Sequence, residues 1–116
     1  MRSILVIDDE WHIRRILFMM LKKLGYDVQV AEDGKKGIEL FKKVGGFDLV
    51  ITDIRMPNMD GNAVARYIRN SGKSGTGLVA ITGFAEKIQS DMFDYIIAKP
   101  FTLKDLRKTV RSFEGE

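Results

Sequence analysis

Phe47 to Gly61 reads FDLVITDIRMPNMDG, and the fold is decided in this stretch. Leu49, Val50 and Ile51 form an unbroken apolar run between polar neighbours, the pattern of a strand covered on both faces, as in a parallel sheet. The run ends in Asp53. A carboxylate there lies at the C-terminal edge of the strand, where open α/β sheets bind ligands, and the chain beyond it must turn sharply. Pro57, Asn58, Asp60 and Gly61 have that turn chemistry. A lone Asp at a strand end can equally well cap the next helix, so its meaning depends on what else reaches the same edge.

Upstream, Ile4 to Ile7 is a second such run, ending in Asp8, Asp9 and Glu10. Ile13, Ile16, Leu17, Met20, Leu21 and Leu24 then recur at helical spacing, with Gly25 as the stop and the Met19-Met20 pair as core filler. Tyr26 to Ala31 reads as a short strand with Val28 and Val30 on one side. Asp33-Gly34 opens a helix that turns Gly37, Ile38, Phe41 and Val44 inward and ends at Gly45-Gly46.

Downstream, a third helix over about Asn62 to Asn70 faces Val64, Tyr67 and Ile68 inward, and Ser71 to Gly77 is a connector. Its Gly-Lys-Ser triplet is no Walker A loop, because the motif's first glycine is missing. Leu78 to Ile81 is a fourth strand ending in Thr82-Gly83. A weak helix follows over roughly Phe84 to Asp91, then a fifth strand, Tyr95 to Ala98, ending in Lys99-Pro100. Thr102 and Asp105 form a capping box with Asp in place of Glu, opening a last helix through Leu103, Leu106, Val110 and Phe113. Strand and helix alternate five times, which predicts a parallel sheet with helices on both faces, right-handed crossovers and strand order 2-1-3-4-5.

The chain of 116 residues accommodates one domain, residues 1–116. It has no cysteine, which excludes disulfides and thiolate metal sites and is compatible with a reducing cytoplasm. A net charge of +3 is small and dispersed, and the pairs Arg14-Arg15, Lys22-Lys23, Lys35-Lys36 and Lys42-Lys43 read as solvated helix faces, so direct nucleic-acid binding is not expected. No apolar run approaches membrane-spanning length, and the N-terminal one is stopped at once by acids.

In a parallel sheet all strand C-termini share one edge, so Asp8 and Asp9, Asp53, Thr82 and Lys99 converge there. Clustered carboxylates repel one another, and a hard divalent ion such as Mg²⁺ relieves the repulsion. Lys99 supplies a point charge for a phosphate, and Thr82 a hydroxyl donor for a phosphoryl oxygen. The single histidine leaves no His pair, and there is neither a Ser-His-Asp set nor a Gly-rich nucleotide cradle. The chemistry such a set supports is transfer of a phosphoryl group onto a carboxylate. Trp11 and His12 stand beside the pocket, His12 as a lone exposed histidine without a role in transfer.

VIDDE at Val6 to Glu10, ITDIRMPNMDG at Ile51 to Gly61, Thr82 followed by the small Gly83, and KPF at Lys99 to Phe101 together resemble the receiver domain of two-component response regulators, over nearly the whole chain. The resemblance implies a flavodoxin-like (βα)5 three-layer sandwich, and the strand order given above is owed in part to it. It further implies that Asp53 is the phosphoacceptor, served by a histidine kinase or phosphotransfer protein, and that the phosphorylated domain switches binding of a downstream protein target in the cytoplasm. Asp9, Asp53 and the backbone carbonyl of Arg55 are the implied direct ligands of Mg²⁺ or Mn²⁺, with Asp8 acting through a metal-bound water. By the same resemblance Thr82 and Lys99 would hold phosphoryl oxygens, and Lys99-Pro100 is the bond that is usually cis in this family. Arg55 and Phe84 occupy positions that tune dephosphorylation. Such a domain is no conventional enzyme; it catalyses its own Mg-dependent phosphotransfer and dephosphorylation.

Two features depart from the family pattern. The aromatic residue usual three positions before the lysine is Ile96 here, and Tyr95 one residue earlier should face the other side of its strand. The span from Thr82 to Lys99 is also short, which calls for a truncated or irregular fourth helix. Both favour a rival reading, a receiver-like module that binds its partner without phosphorylation. A phosphohydrolase with an aspartyl intermediate is disfavoured by Arg55, which occupies the place of its second acid. With no output domain after Phe113, the chain is expected to be a single-domain regulator or an excised receiver.

Overall fold

The computed structural model describes residues 2–73, 75–83 and 90–114. Five strands, β1 (Ser3–Ile7), β2 (Asp27–Ala31), β3 (Leu49–Asp53), β4 (Gly77–Thr82) and β5 (Tyr95–Ala98), form one sheet in the order β2-β1-β3-β4-β5. Every pairing is parallel. Four helices are described: α1 (Trp11–Lys23), α2 (Gly34–Val44), α3 (Gly61–Arg69) and α4 (Leu103–Ser112), with a 3₁₀ turn at Ser90–Met92. Most of the helix expected over 84–91 lies outside the described residues.

Alternation along the strands divides the interior in two, as the period of a strand requires. Ile4, Val6, Leu49, Ile51, Val79 and Ile81 face α1 and α4, where they meet Leu17, Leu21, Leu106 and Val110. Leu5, Ile7, Val50, Leu78 and Ala80 face α2 and α3, against Phe41, Val64, Ala65 and Ile68. The apolar runs of β1, β3 and β4 therefore have no solvent face, the condition that a buried parallel sheet imposes.

Local chemistry fixes the helix ends. Asp33 caps α2 by accepting from the Lys36 N–H at 2.8 Å, and Gly45 ends it in the left-handed region at φ 87°. Asp60 caps α3 by accepting from the Ala63 N–H at 2.9 Å. At α4 both halves of the Thr102–Asp105 capping box are present.

Some expected burial is absent. Val30, Ile16 and Met19 are exposed by 40%, 40% and 57%, and Val44 by 46%. Val30 lies on edge strand β2, beside the flank of α1 formed by Trp11, Arg14, Arg15 and Phe18; Met19 points outward and is not core filler, and Val44 closes the last turn of α2.

At the other end from the strand C-termini, Asp48 staples β1 to β3. Its Oδ2 accepts from the Arg2 and Ser3 N–H groups and from Ser3 Oγ. Those donors hold the Asp48 carboxyl below the usual carboxylate range. Arg69 ties α3 to the approaches to β4 and β5 through the carbonyls of Thr76 and Met92 and the Asp94 carboxylate.

Candidate functional site: an acidic pocket at the strand C-termini

Asp53 is the last residue of β3, and its side chain is almost wholly buried. Its Oδ1 accepts from the Ile54 N–H at 2.8 Å, which leaves Oδ2 facing the pocket. Behind it the chain turns back so closely that a Cβ at Gly61 would stand 2.3 Å from the Asp53 carbonyl oxygen. The Gly61 N–H donates to the Ile54 carbonyl at 2.9 Å, so the turn chemistry read from the sequence is what holds the acceptor strand's end in place.

Asp8 follows β1 directly. Its Oδ1 accepts from the Glu10 N–H at 2.9 Å, and its carbonyl accepts from Arg14 Nη1 at 2.8 Å. Arg14 is thus tied to the site, not merely solvated. Asp8 Oδ2 is buried and accepts no hydrogen bond. Burial, more than the neighbouring Asp53 charge, pushes the Asp8 carboxyl up to about 6 against the pull of the Glu10 N–H and Lys99.

Lys99 reaches in from the loop after β5. Its Nζ stands 3.1 Å from Asp53 Oδ2, 3.6 Å from Asp8 Oδ2 and 3.5 Å from Glu10 Oε1. These acids raise the Lys99 ammonium above its ordinary value although burial works against them. The Lys99–Pro100 peptide is cis, as the resemblance implies. Thr82 is buried at the end of β4, one register step past the Asp53–Ile81 pair, and its carbonyl accepts the Lys99 N–H at 2.9 Å.

Among the described residues, Asp8, Glu10 and Asp53 each offer an oxygen within 4.8 Å of the other two. Glu10 completes this trio, and Asp9 is exposed and lies outside it. Two carboxylates with almost no solvent, one of them with an oxygen that accepts no hydrogen bond, form a donor set that fits a hard divalent cation. Phe84 lies outside the described residues, and Arg55 is exposed beside the acceptor.

A family model for the response regulator receiver domain matches residues 4–111. The chain belongs to that family. This receiver is 37% identical over 116 residues to the probable transcriptional regulator ycf27 of Porphyridium aerugineum, a match covering 95% of this chain and 47% of that protein. It is 34% identical to the regulatory protein AtoC of Escherichia coli (strain K12), over 93% of this chain and 24% of that protein. Among solved structures, the response regulator protein TrrA from Thermotoga maritima, in complex with Mg(2+)-BeF, matches with a TM-score of 0.88 at 34% identity, covering 97% of this chain and 99% of that one. The receiver therefore spans about half, or less, of the length of these curated relatives. Membership fixes its place in two-component signalling and its flavodoxin-like fold. Among the described residues, no helix is long and apolar enough to cross a membrane.

Proposed function

We propose that Asp53 is the phosphoacceptor of this receiver, taking its phosphoryl group from the phosphohistidine of a histidine kinase or phosphotransfer protein, and that the aspartyl phosphate alters binding of a downstream protein. The observation that carries this reading is the buried Asp53 carboxylate with Lys99 Nζ 3.1 Å from its outward oxygen. Because Oδ1 is engaged by the Ile54 N–H, Oδ2 is the oxygen that attacks phosphorus. The new O–P bond forms as the P–N bond breaks, and that bond's electron pair leaves with the imidazole. The Lys99 ammonium engages the arriving phosphoryl oxygens, and the Thr82 hydroxyl donates to another of them.

We assign the divalent cation, Mg²⁺ or Mn²⁺, to Asp9, Asp53 and the Arg55 carbonyl, with Asp8 acting through a bound water. When bound, it neutralises the charge of the phosphoryl oxygens. A phosphoryl group adds roughly 1.5 to 2 negative charges, enough to redirect Lys99 and Thr82 and bias a two-state surface.

Intact-mass measurement after incubation with acetyl phosphate and Mg²⁺ tests the acceptor. One added phosphoryl group is expected on the wild-type chain and none on Asp53→Asn. Label that survives the substitution moves the acceptor elsewhere.

A further inference from the structure

Lys99 is shared among three acids of unequal burial. Asp8 and Asp53 are buried, whereas the Glu10 side chain is 48% exposed and sits at the rim. Glu10 is the N-cap of α1, yet its side chain makes no capping hydrogen bond, so the carboxylate is available to the pocket. One oxygen stands 3.5 Å from Lys99 Nζ, and the other 3.6 Å from His12 Nε2. The unsatisfied Oδ2 of Asp8, in a residue only 1% exposed, points to a ligand that this pocket is built to take.

An ammonium and a dication compete for the same oxygens. A cation that uses the buried acids repels Lys99 Nζ from Asp53 and Asp8, and among the described residues Glu10 is the acid already within its reach that the buried site does not enclose. We propose that Glu10 is a positioning residue: it receives Lys99 when a divalent cation enters, without ligating the ion, and so sets how readily the pocket accepts it. This rests on the proposed reading of the pocket as the receiver's metal and phosphoryl site. Once Lys99 is displaced from the buried acids, Glu10 becomes its main counter-charge, so the Glu10–Lys99 interaction is stronger with the ion bound than without it.

A double-mutant cycle on the full chain, read as the Mg²⁺ Kd from amide chemical shifts during titration with MgCl₂, tests this. The variants are Glu10→Gln, Lys99→Met and both together. Any direct attraction between the Glu10 charge and the ion contributes in both backgrounds and cancels. Lys99→Met is expected to tighten Mg²⁺ binding. Glu10→Gln is expected to weaken it by a factor about two- to five-fold greater with Lys99 present than in the Lys99→Met background, the size of a partly exposed ion pair. An equal factor in both backgrounds overturns the proposal, because Glu10 then acts on the ion independently of Lys99, and a larger factor without Lys99 overturns it in favour of Glu10 as a ligand. Lys99→Gln repeats the cycle with a polar side chain in case Lys99→Met perturbs folding. Wild-type chain that shows no Mg²⁺-dependent shift defeats the site reading itself, a result distinct from a cycle that closes without coupling.

Discussion

At the scale of single residues, Asp8 carries a conflict that the fold tolerates. Its carboxyl, raised to about 6 chiefly by burial, keeps a proton that the unfolded chain releases near 3.8. In metal-free protein the folded state therefore binds more protons than the unfolded one between those values. The Asp8 contribution is most favourable below that window and is lost as pH rises through it. Asp8→Asn keeps an acceptor for the Glu10 N–H and removes the charge. In EDTA at pH 7.5 it should be more stable than wild type, by up to ~3 kcal/mol for a shift of about two units. The advantage should shrink toward pH 4.5. Urea titrations at both pH values decide it, and a variant less stable than wild type at pH 7.5 contradicts the desolvation argument.

The site was legible where chemistry sits at strand ends: Asp8, Asp53, Thr82 and Lys99 terminate elements whose parallel arrangement was itself readable. Glu10 was not. A glutamate after two aspartates, before a helix, reads as an ordinary first-turn acid, and only the side-chain path of Lys99 reveals its second use. Arg14 was misread for the same reason, since helical periodicity says which face a residue occupies but not which loop carbonyl lies beside it.

At the scale of elements, α4 illustrates how a local motif sets a boundary. The Thr102 hydroxyl accepts from the Asp105 N–H at 3.1 Å, and the Asp105 carboxylate accepts from the Thr102 N–H at 3.0 Å. The backbone hydrogen bond, with help from the hydroxyl, holds the Asp105 carboxyl below the usual carboxylate range. The cap is therefore fully present above the unfolded-state value and is lost as pH falls through the lower folded one. Thr102→Ala should cost about 1 kcal/mol in chemical denaturation at neutral pH and speed amide exchange in the first turn of α4. Unchanged exchange there would show that packing of Leu106 and Val110 alone sets the helix start. Such ends were readable because capping is a matter of neighbours in sequence. The exposure of Val30 and Val44 was not, since it depends on what the fold packs over an edge strand and a helix end. Tyr95 and Ile96 do face opposite ways: Tyr95 packs edge-on against Phe113 with ring centroids 5.4 Å apart, and Ile96, 43% exposed, holds the position where the family usually has an aromatic residue. Moving the Tyr95 ring away from Phe113, the C-cap of α4, would break this edge-on pair.

Across the whole molecule, one sheet separates two apolar layers, and the acidic pocket draws on both ends of this arrangement: Asp8 and Asp53 are fixed by central strands, while Lys99 arrives from the edge strand. Neither layer has its own backbone framework, because each strand supplies alternate side chains to both. Ile51 faces α1 and α4, and Leu78 faces α2 and α3. Both are at most 1% exposed. Truncating either to alanine removes a wholly buried aliphatic group and should destabilise the chain by about 2–5 kcal/mol. The layers share β1, β3 and β4, so loss on one face should unfold the other with it. Trp11 fluorescence, reporting the α1 side, and far-UV circular dichroism, reporting all helices, should give coincident urea transitions for wild type, Ile51→Ala and Leu78→Ala. Separate transitions, with Leu78→Ala melting α2 and α3 before the Trp11 signal changes, would show that the faces fold as independent units and that the pocket can survive on half of its scaffold.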